Sequence, residues 1–134
     1  MHLAGTGVTA LLARLTRIHT LSERAMSLCQ TKLDDSLLSL FFLGLLCNLF
    51  IYIAVEGYGK NPHESGKYLS LFFGVMCFIL IGTEHCVADM FYFWMAEAWS
   101  GRAILCVLAV CLGNAVGGVL LPLLRAFAEQ TKPR

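Results

Sequence analysis

"IGTEHCVADMF", residues 81–91, sets Glu84, His85 and Asp89 inside one of the most apolar parts of the chain. An ionised side chain at the centre of a bilayer costs about 3 kcal/mol on insertion scales, so such residues mark either a packing contact or a pathway. The surrounding apolar stretch, residues 68–95, has 28 residues. As one helix it would be about 42 Å long, and a bilayer core is only about 30 Å thick. Gly82 and Thr83 precede the charged group. The pattern predicts two half-helices, 68–81 and 86–95, with a break over Gly82–His85. Backbone leaves the helix at membrane depth only where protein or a wet cavity satisfies it, and broken helices at the midplane build many transporter sites.

Two further stretches flank this one. Residues 37–55, "LLSLFFLGLLCNLFIYIAV", are 19 residues without a charge, about 28 Å as a helix. Residues 103–124 are 22 residues without a charge. Both read as transmembrane helices. The whole chain is 57% hydrophobic and 14% charged, against about 25% charged in a soluble domain, and its mean hydropathy is +0.70. The fold class is therefore an all-α integral membrane protein with three spans, the middle one broken. The net charge of +1 gives no bulk pull toward nucleic acid. Six cysteines form no CxxC, and five lie in apolar runs, where cysteine acts as a small hydrophobe. That spacing supports neither a disulfide framework nor a zinc site.

Three parts follow along the chain: residues 1–36, an N-terminal amphipathic or juxtamembrane segment; 37–124, the transmembrane part of three helices; and 125–134, a polar tail. In the first, Leu11, Leu12, Leu15, Ile18 and Leu21 recur at helical spacing with Arg14, Arg17 and Arg24 between them, the pattern of an interfacial helix. No positive charge precedes the weak apolar stretch 5–13, unlike a signal peptide. Asp34, Asp35 and Ser36 supply N-terminal caps for the first span. Residues 56–67, "EGYGKNPHESGK", read as a polar turn, and 96–102 as a tighter one. Lys and Arg number five on each side of a three-span arrangement, so charge bias leaves the orientation open.

Within the spans, Glu84 and Asp89 are the charged residues. A polar contact that locks the helices is one reading; a substrate or proton pathway is the favoured one. His85 titrates near neutral pH and both donates and accepts hydrogen bonds. Beside the positive N-terminus of a second half-helix it is placed to meet an anion. His85–Cys86 also raises metal or haem ligation, yet no second ligand pair stands at a suitable spacing, so no metal and no cofactor are expected. No Ser/His/Asp arrangement or phosphate loop points to an enzyme. Asn48 and Asn114 sit mid-span, where buried amides bond a partner; either the broken backbone or a pore would use them. "GNAVG", residues 113–117, is a helix-packing GxxxG. Phe78, two helical turns before His85, could narrow a path beside it.

These residues resemble the formate/nitrite transporter family. "GTEHCVADMFYF" is similar to its fifth-helix signature, in which Gly-x-Glu-His precedes a small residue and Ala-Asn-Met. "LGNAVGG" is similar to its sixth helix and "LGLLCNLFIYIAV" to its fourth, and Lys32 stands sixteen residues before Asn48, as in the family. The match spans roughly residues 27–124, the second half of the family fold. The resemblance implies half of an inverted-repeat, six-helix, aquaporin-like bundle, assembled as a pentamer with a pore in each protomer. It implies His85 as the central pore histidine, with Glu84, Lys32 and Asn48 in the polar network around it. Phe78 and Ile51 fall at its constrictions, and Asn114 at its sixth-helix amide. Thr83 and Asp89 join the candidate pore set, and Asp89 stands where the family usually has Asn. The first three helices, with the broken second one, fall outside the match, and residues 1–13 are a candidate for the end of the third.

The function expected from this resemblance is transport of small monovalent weak-acid anions such as formate or nitrite. It is proton-linked, by a multi-pass protein of the plasma membrane that works as a homo-oligomer. The alternative is a truncated or split half-transporter with no transport of its own, needing a separate first-half chain.

Overall fold

Ser36 turns the chain into the first membrane helix. Its backbone is extended, and its hydroxyl accepts the backbone N–H of Ser39 at 3.0 Å, satisfying one of the donors that a helix start leaves open. The Ser39 hydroxyl in turn donates to Asp35 at 2.7 Å. Ser100 caps the last helix in the same way, accepting from Ala103 at 3.1 Å. The computed structural model describes residues 1–131. In it the elements are α1 (His2–Arg14), a 3-10 turn (Arg17–Thr20), α2 (Leu21–Asp34), α3 (Leu37–Lys60), α4 (Glu64–Ile81), α5 (Cys86–Met95) and α6 (Gly101–Gln130). Three of them, α3, α4 and α6, are long and apolar enough to cross a membrane.

The break falls where the sequence places it. Gly82 has φ 76°, a left-handed conformation that glycine adopts without a Cβ clash. Its N–H donates to Ile79 and that of Thr83 to Phe78, each at 3.2 Å, closing the last turn of α4 in a Schellman arrangement. Residues 83–85 are extended or irregular, and α5 begins at Cys86.

The polar linker 56–67 is shorter than expected. Helix α3 continues to Lys60 and α4 starts at Glu64, leaving Asn61, Pro62 and His63 between them. The charges read as loop are helix-end charges: Lys60 pairs with Glu56 one turn back, and Lys67 with Glu64 at 2.6 Å. Ion pairs at this spacing support a helix end at the water boundary. Helix α6 likewise runs past residue 124, and Arg125 bridges Glu56 of α3 and Glu129.

Small residues set the packing. Helices α3 and α6 meet at Gly113 and Gly117, where a Cβ would overlap the carbonyl oxygens of Phe41 and Leu45. The GxxxG motif thus brings two backbones together, as small residues do where lipid offers no hydrophobic drive. Helix α4 rests on α3 through Gly74 against Ala54 and buries none of its own residues. Helices α1, α2, α5 and α6 converge on Phe93 and Met95 of α5, packed with Ala10, Ala25, Cys29, Ala103 and Val107. Leu11, Leu12, Leu15, Ile18 and Leu21, the stripe that reads as interfacial, stay exposed. Helix α1 packs along α5 instead by its small face: Gly7 lies under the Trp94 ring, and Trp94 Nε1 donates to the Leu3 carbonyl at 3.1 Å. Arg14 pairs with Glu97 in the α5–α6 turn.

Replacing Gly113 or Gly117 with Ala is expected to destabilise the protein by about 1–3 kcal/mol, since the colliding atoms are backbone. Gly118→Ala, whose Cβ would meet Asn48 Nδ2 at 3.5 Å, should be neutral. Thermal unfolding of the three variants in one detergent compares them; equal midpoints would show that the α3–α6 contact is loose.

Candidate functional site

The site is built at the break, and Asn114 of α6 holds the break in place. Its Nδ2 donates to the Gly44 carbonyl of α3 at 2.8 Å and to the Glu84 carbonyl at 3.0 Å, while its Oδ1 accepts the Cys86 N–H at 3.0 Å. One side chain therefore ties α3, α6 and both edges of the break. The Glu84 N–H donates to the Leu43 carbonyl at 3.4 Å. Asn48 completes the arrangement by donating to the Asn114 carbonyl at 2.7 Å. Asn114 thus serves the broken backbone, the first of the two uses expected from sequence, whereas Asn48 ties α3 to the α6 backbone.

With the backbone fixed, Glu84 points into a buried ionic group. Lys32, from α2, donates to Glu84 Oε2 and lies 3.1 Å from Asp89 Oδ1. All three side chains are nearly enclosed, with 8%, 11% and 3% of their surface exposed. Enclosure at that level makes the charges depend on one another, because a buried charge without a partner is far costlier than a paired one. Asp89 sits in the first turn of α5, where the helix dipole favours a negative group. The Tyr92 ring lies one turn further on, its centroid 5.8 Å from Lys32 Nζ.

A cavity of about 360 Å³ opens beside this group. Lys32, Thr83, Glu84, His85 and Asp89 all line it, and Phe78 adds an apolar wall. The Thr83 hydroxyl donates back to the Phe78 carbonyl at 2.9 Å. His85, half-buried, also borders a second hollow of about 460 Å³, formed with Thr6 and Thr9 of α1 and Phe91 and Tyr92 of α5. The histidine stands where the two hollows approach each other.

Six of the sequence candidates therefore share one cavity: Lys32, Phe78, Thr83, Glu84, His85 and Asp89. Asn48 and Asn114 lie behind it. Ile51, half-buried on α3, lines neither hollow. Sequence reading missed Tyr92, although its place three residues after Asp89 puts it on the same helix face. It also missed Thr6 and Thr9, for which no local signal exists, because α1 reaches the site only through tertiary packing.

Three helices long and apolar enough to cross a membrane, with a break at a buried charged group after the second, give the architecture of a multi-pass membrane protein. The chain belongs to the formate/nitrite transporter family, whose model matches residues 1–128. The match thus takes in α1 and all of α2 and extends N-terminal to residues 27–124, the span of the sequence resemblance. The chain is 30% identical over 129 residues to the uncharacterized transporter YrhG of Bacillus subtilis, covering 92% of this chain and 48% of that one. It is 35% identical over 100 residues to formate-nitrite transporter 2 of Toxoplasma gondii, covering 69% of this chain and 21% of that protein. The chain therefore spans about half, or less, of the length of these relatives. Among solved structures it is similar to a pentameric formate channel with formate bound. There the TM-score is 0.80 and the identity 25%, with 97% of this chain and 62% of the channel covered.

Asn114→Leu should take this partner from the Glu84 carbonyl and the Cys86 N–H at the break, and from the Gly44 carbonyl within α3. At about 1–3 kcal/mol for each orphaned buried group, the loss is several kcal/mol. Hydrogen exchange at the Cys86 amide should accelerate while exchange in α3 stays slow. Unchanged protection at Cys86 would show that the break is held by something else.

Proposed function

We propose that this chain forms one wall of a pore for small monovalent weak-acid anions such as formate or nitrite, and that permeation is linked to protons. The observation that carries the reading is the position of His85, at the break and between two hollows, with the Lys32–Glu84–Asp89 group beside it. Two of the similar proteins, a formate-nitrite transporter and a formate channel, support the substrate class. The channel's pentameric state supports a homo-oligomer, and in this reading the plasma membrane holds it.

The residues divide the work by physical type. The N-terminal N–H groups of α5 provide positive potential toward an anion at the break, while Lys32 offsets the carboxylates of Glu84 and Asp89 beside it. Phe78 provides the apolar wall that a bare carboxylate does not cross cheaply, because desolvating an ion costs several kcal/mol or more. Protonating the anion removes most of that cost. His85, able to give and take a proton near neutral pH, stands where this exchange is needed. Ile51 acts in this reading as a constriction on the α3 side.

A second reading has a specific observation behind it. Helix α4 buries none of its residues, and Phe72, Phe73, Ile79 and Leu80 are all more than half exposed. In this reading the wall transports nothing until other helices face it, whether from a separate first half or from a second copy.

The deciding experiment is formate and nitrite flux into liposomes holding only this chain, across a pH step, beside a His85→Ala control. Flux that is lost or loses its pH dependence in the control is the expected result. Equal flux and equal pH profile in both would remove His85 from the mechanism. No flux from folded, inserted protein would favour the second reading.

A further inference from the structure

The Lys32 group has an imbalance of charge. One ammonium faces two carboxylates, so the fully ionised group carries one net negative charge. The ammonium does not serve all four carboxylate oxygens. It holds Glu84 Oε2 and Asp89 Oδ1, while Asp89 Oδ2 is buried and has no hydrogen-bond partner among the described residues. Asp89 as a whole is 2% exposed. A carboxylate oxygen in that position is an expensive place for charge, and protonation exchanges that cost for the smaller one of a buried neutral acid. The titratable groups around it, from every element packed there, are Lys32 and Cys29 of α2, Glu84 and His85 of the break, Cys47 of α3, Cys86 and Tyr92 of α5, and Cys106 and Cys111 of α6. Among the described residues Lys32 is the cation paired with Asp89, and His85, in the same cavity, adds a second positive charge only when it is itself protonated.

We propose that Asp89 is a resident proton site, and that its proton decides whether the cavity beside His85 presents a net negative or a neutral charge to an arriving anion. When a proton from cavity water bonds to Asp89 Oδ2, one carboxylate becomes a neutral acid. The remaining Lys32–Glu84 pair is then balanced, and the field at the cavity mouth no longer repels an anion. When the O–H bond breaks and the proton returns to cavity water, the group regains its net negative charge and the anion is excluded. Asp89 thus acts as a charge gate upstream of His85. It acts through the field of the cavity that it lines. The gating part of this inference rests on the transport reading; the proton site does not.

Two measurements separate the parts. The first is an infrared titration of the membrane-inserted protein, read at the carbonyl stretch of a protonated carboxyl. A band present at neutral pH and lost on alkalinisation is expected in the unaltered protein and in His85→Ala. It should be missing from Asp89→Asn and shifted, yet present, in Asp89→Glu. No titrating band, or the same band in Asp89→Asn, overturns the proton site whether or not the chain transports anything. The second is formate flux against pH for the same proteins. The ratio of Asp89→Asn flux to unaltered flux cancels the titration of formate itself. It should rise by about tenfold per pH unit above the infrared transition, because the competent fraction of a one-proton gate falls by that factor. A flat ratio with measurable flux overturns the gate. Absent flux in every variant overturns the transport reading, and the infrared result still decides the proton site. Asp89→Glu, which keeps the carboxyl, should restore the unaltered pH slope, and this distinguishes a lost proton from a merely disturbed fold.

Discussion

A chain that interrupts a helix inside a bilayer must find partners for the peptide groups it exposes. That constraint organises this molecule. Lipid supplies no hydrogen bonds, so each free N–H or carbonyl at the break costs several kcal/mol unless protein answers it. The answer comes from one amide. Asn114 bonds Gly44, Glu84 and Cys86 at 2.8–3.0 Å, and it reaches them only because Gly113 and Gly117 let α6 come close to α3. Packing of small residues, the amide and the break therefore form one cooperative unit.

The break in turn makes the buried charges tolerable. Had residues 81–86 stayed helical, Glu84 would project from a continuous helix. Because the chain leaves the helix there, the Glu84 side chain meets Lys32, which arrives from α2, fifty-two residues earlier. Asp89, in the first turn of the new helix, approaches the same ammonium at 3.1 Å. A lone buried carboxylate would be prohibitive; a shared cation turns the cost into a local electrostatic device. The device is unsymmetrical, with two acids to one base, and that asymmetry is the basis for assigning Asp89 a proton.

The N-terminal helices show how function and fold divide along the chain. Helix α2 delivers Lys32, Cys29 and Ala25 to the interior, and α1 seals one side of α5 through Gly7 and Ala10. Their conspicuous leucines remain on the outside. In a soluble protein an exposed apolar stripe would call for explanation. In a chain with three membrane-capable helices, lipid or a neighbouring helix is the ordinary cover for such a surface.

The apolar runs, the position of the break and its polar residues were legible in the sequence, because hydropathy and charge cost act residue by residue. Glycine at 82 and the cluster at 83–85 located the break to the residue. Helix ends were less legible: Glu56, Lys60, Glu64 and Lys67 looked like a loop, since charge alone does not distinguish a turn from the wet end of a helix. The partnerships were not legible. Nothing local says that Lys32 serves two acids at once or that Asn114 bonds the break. Nor does anything local say that Thr6 and Thr9 reach the far side of His85, or that Asp89 keeps one oxygen unpartnered. Those facts depend on how six helices cross, and only packing decides that. What the sequence alone settled was where this chain must leave the helix; what tertiary structure decided was which distant side chains make that departure affordable.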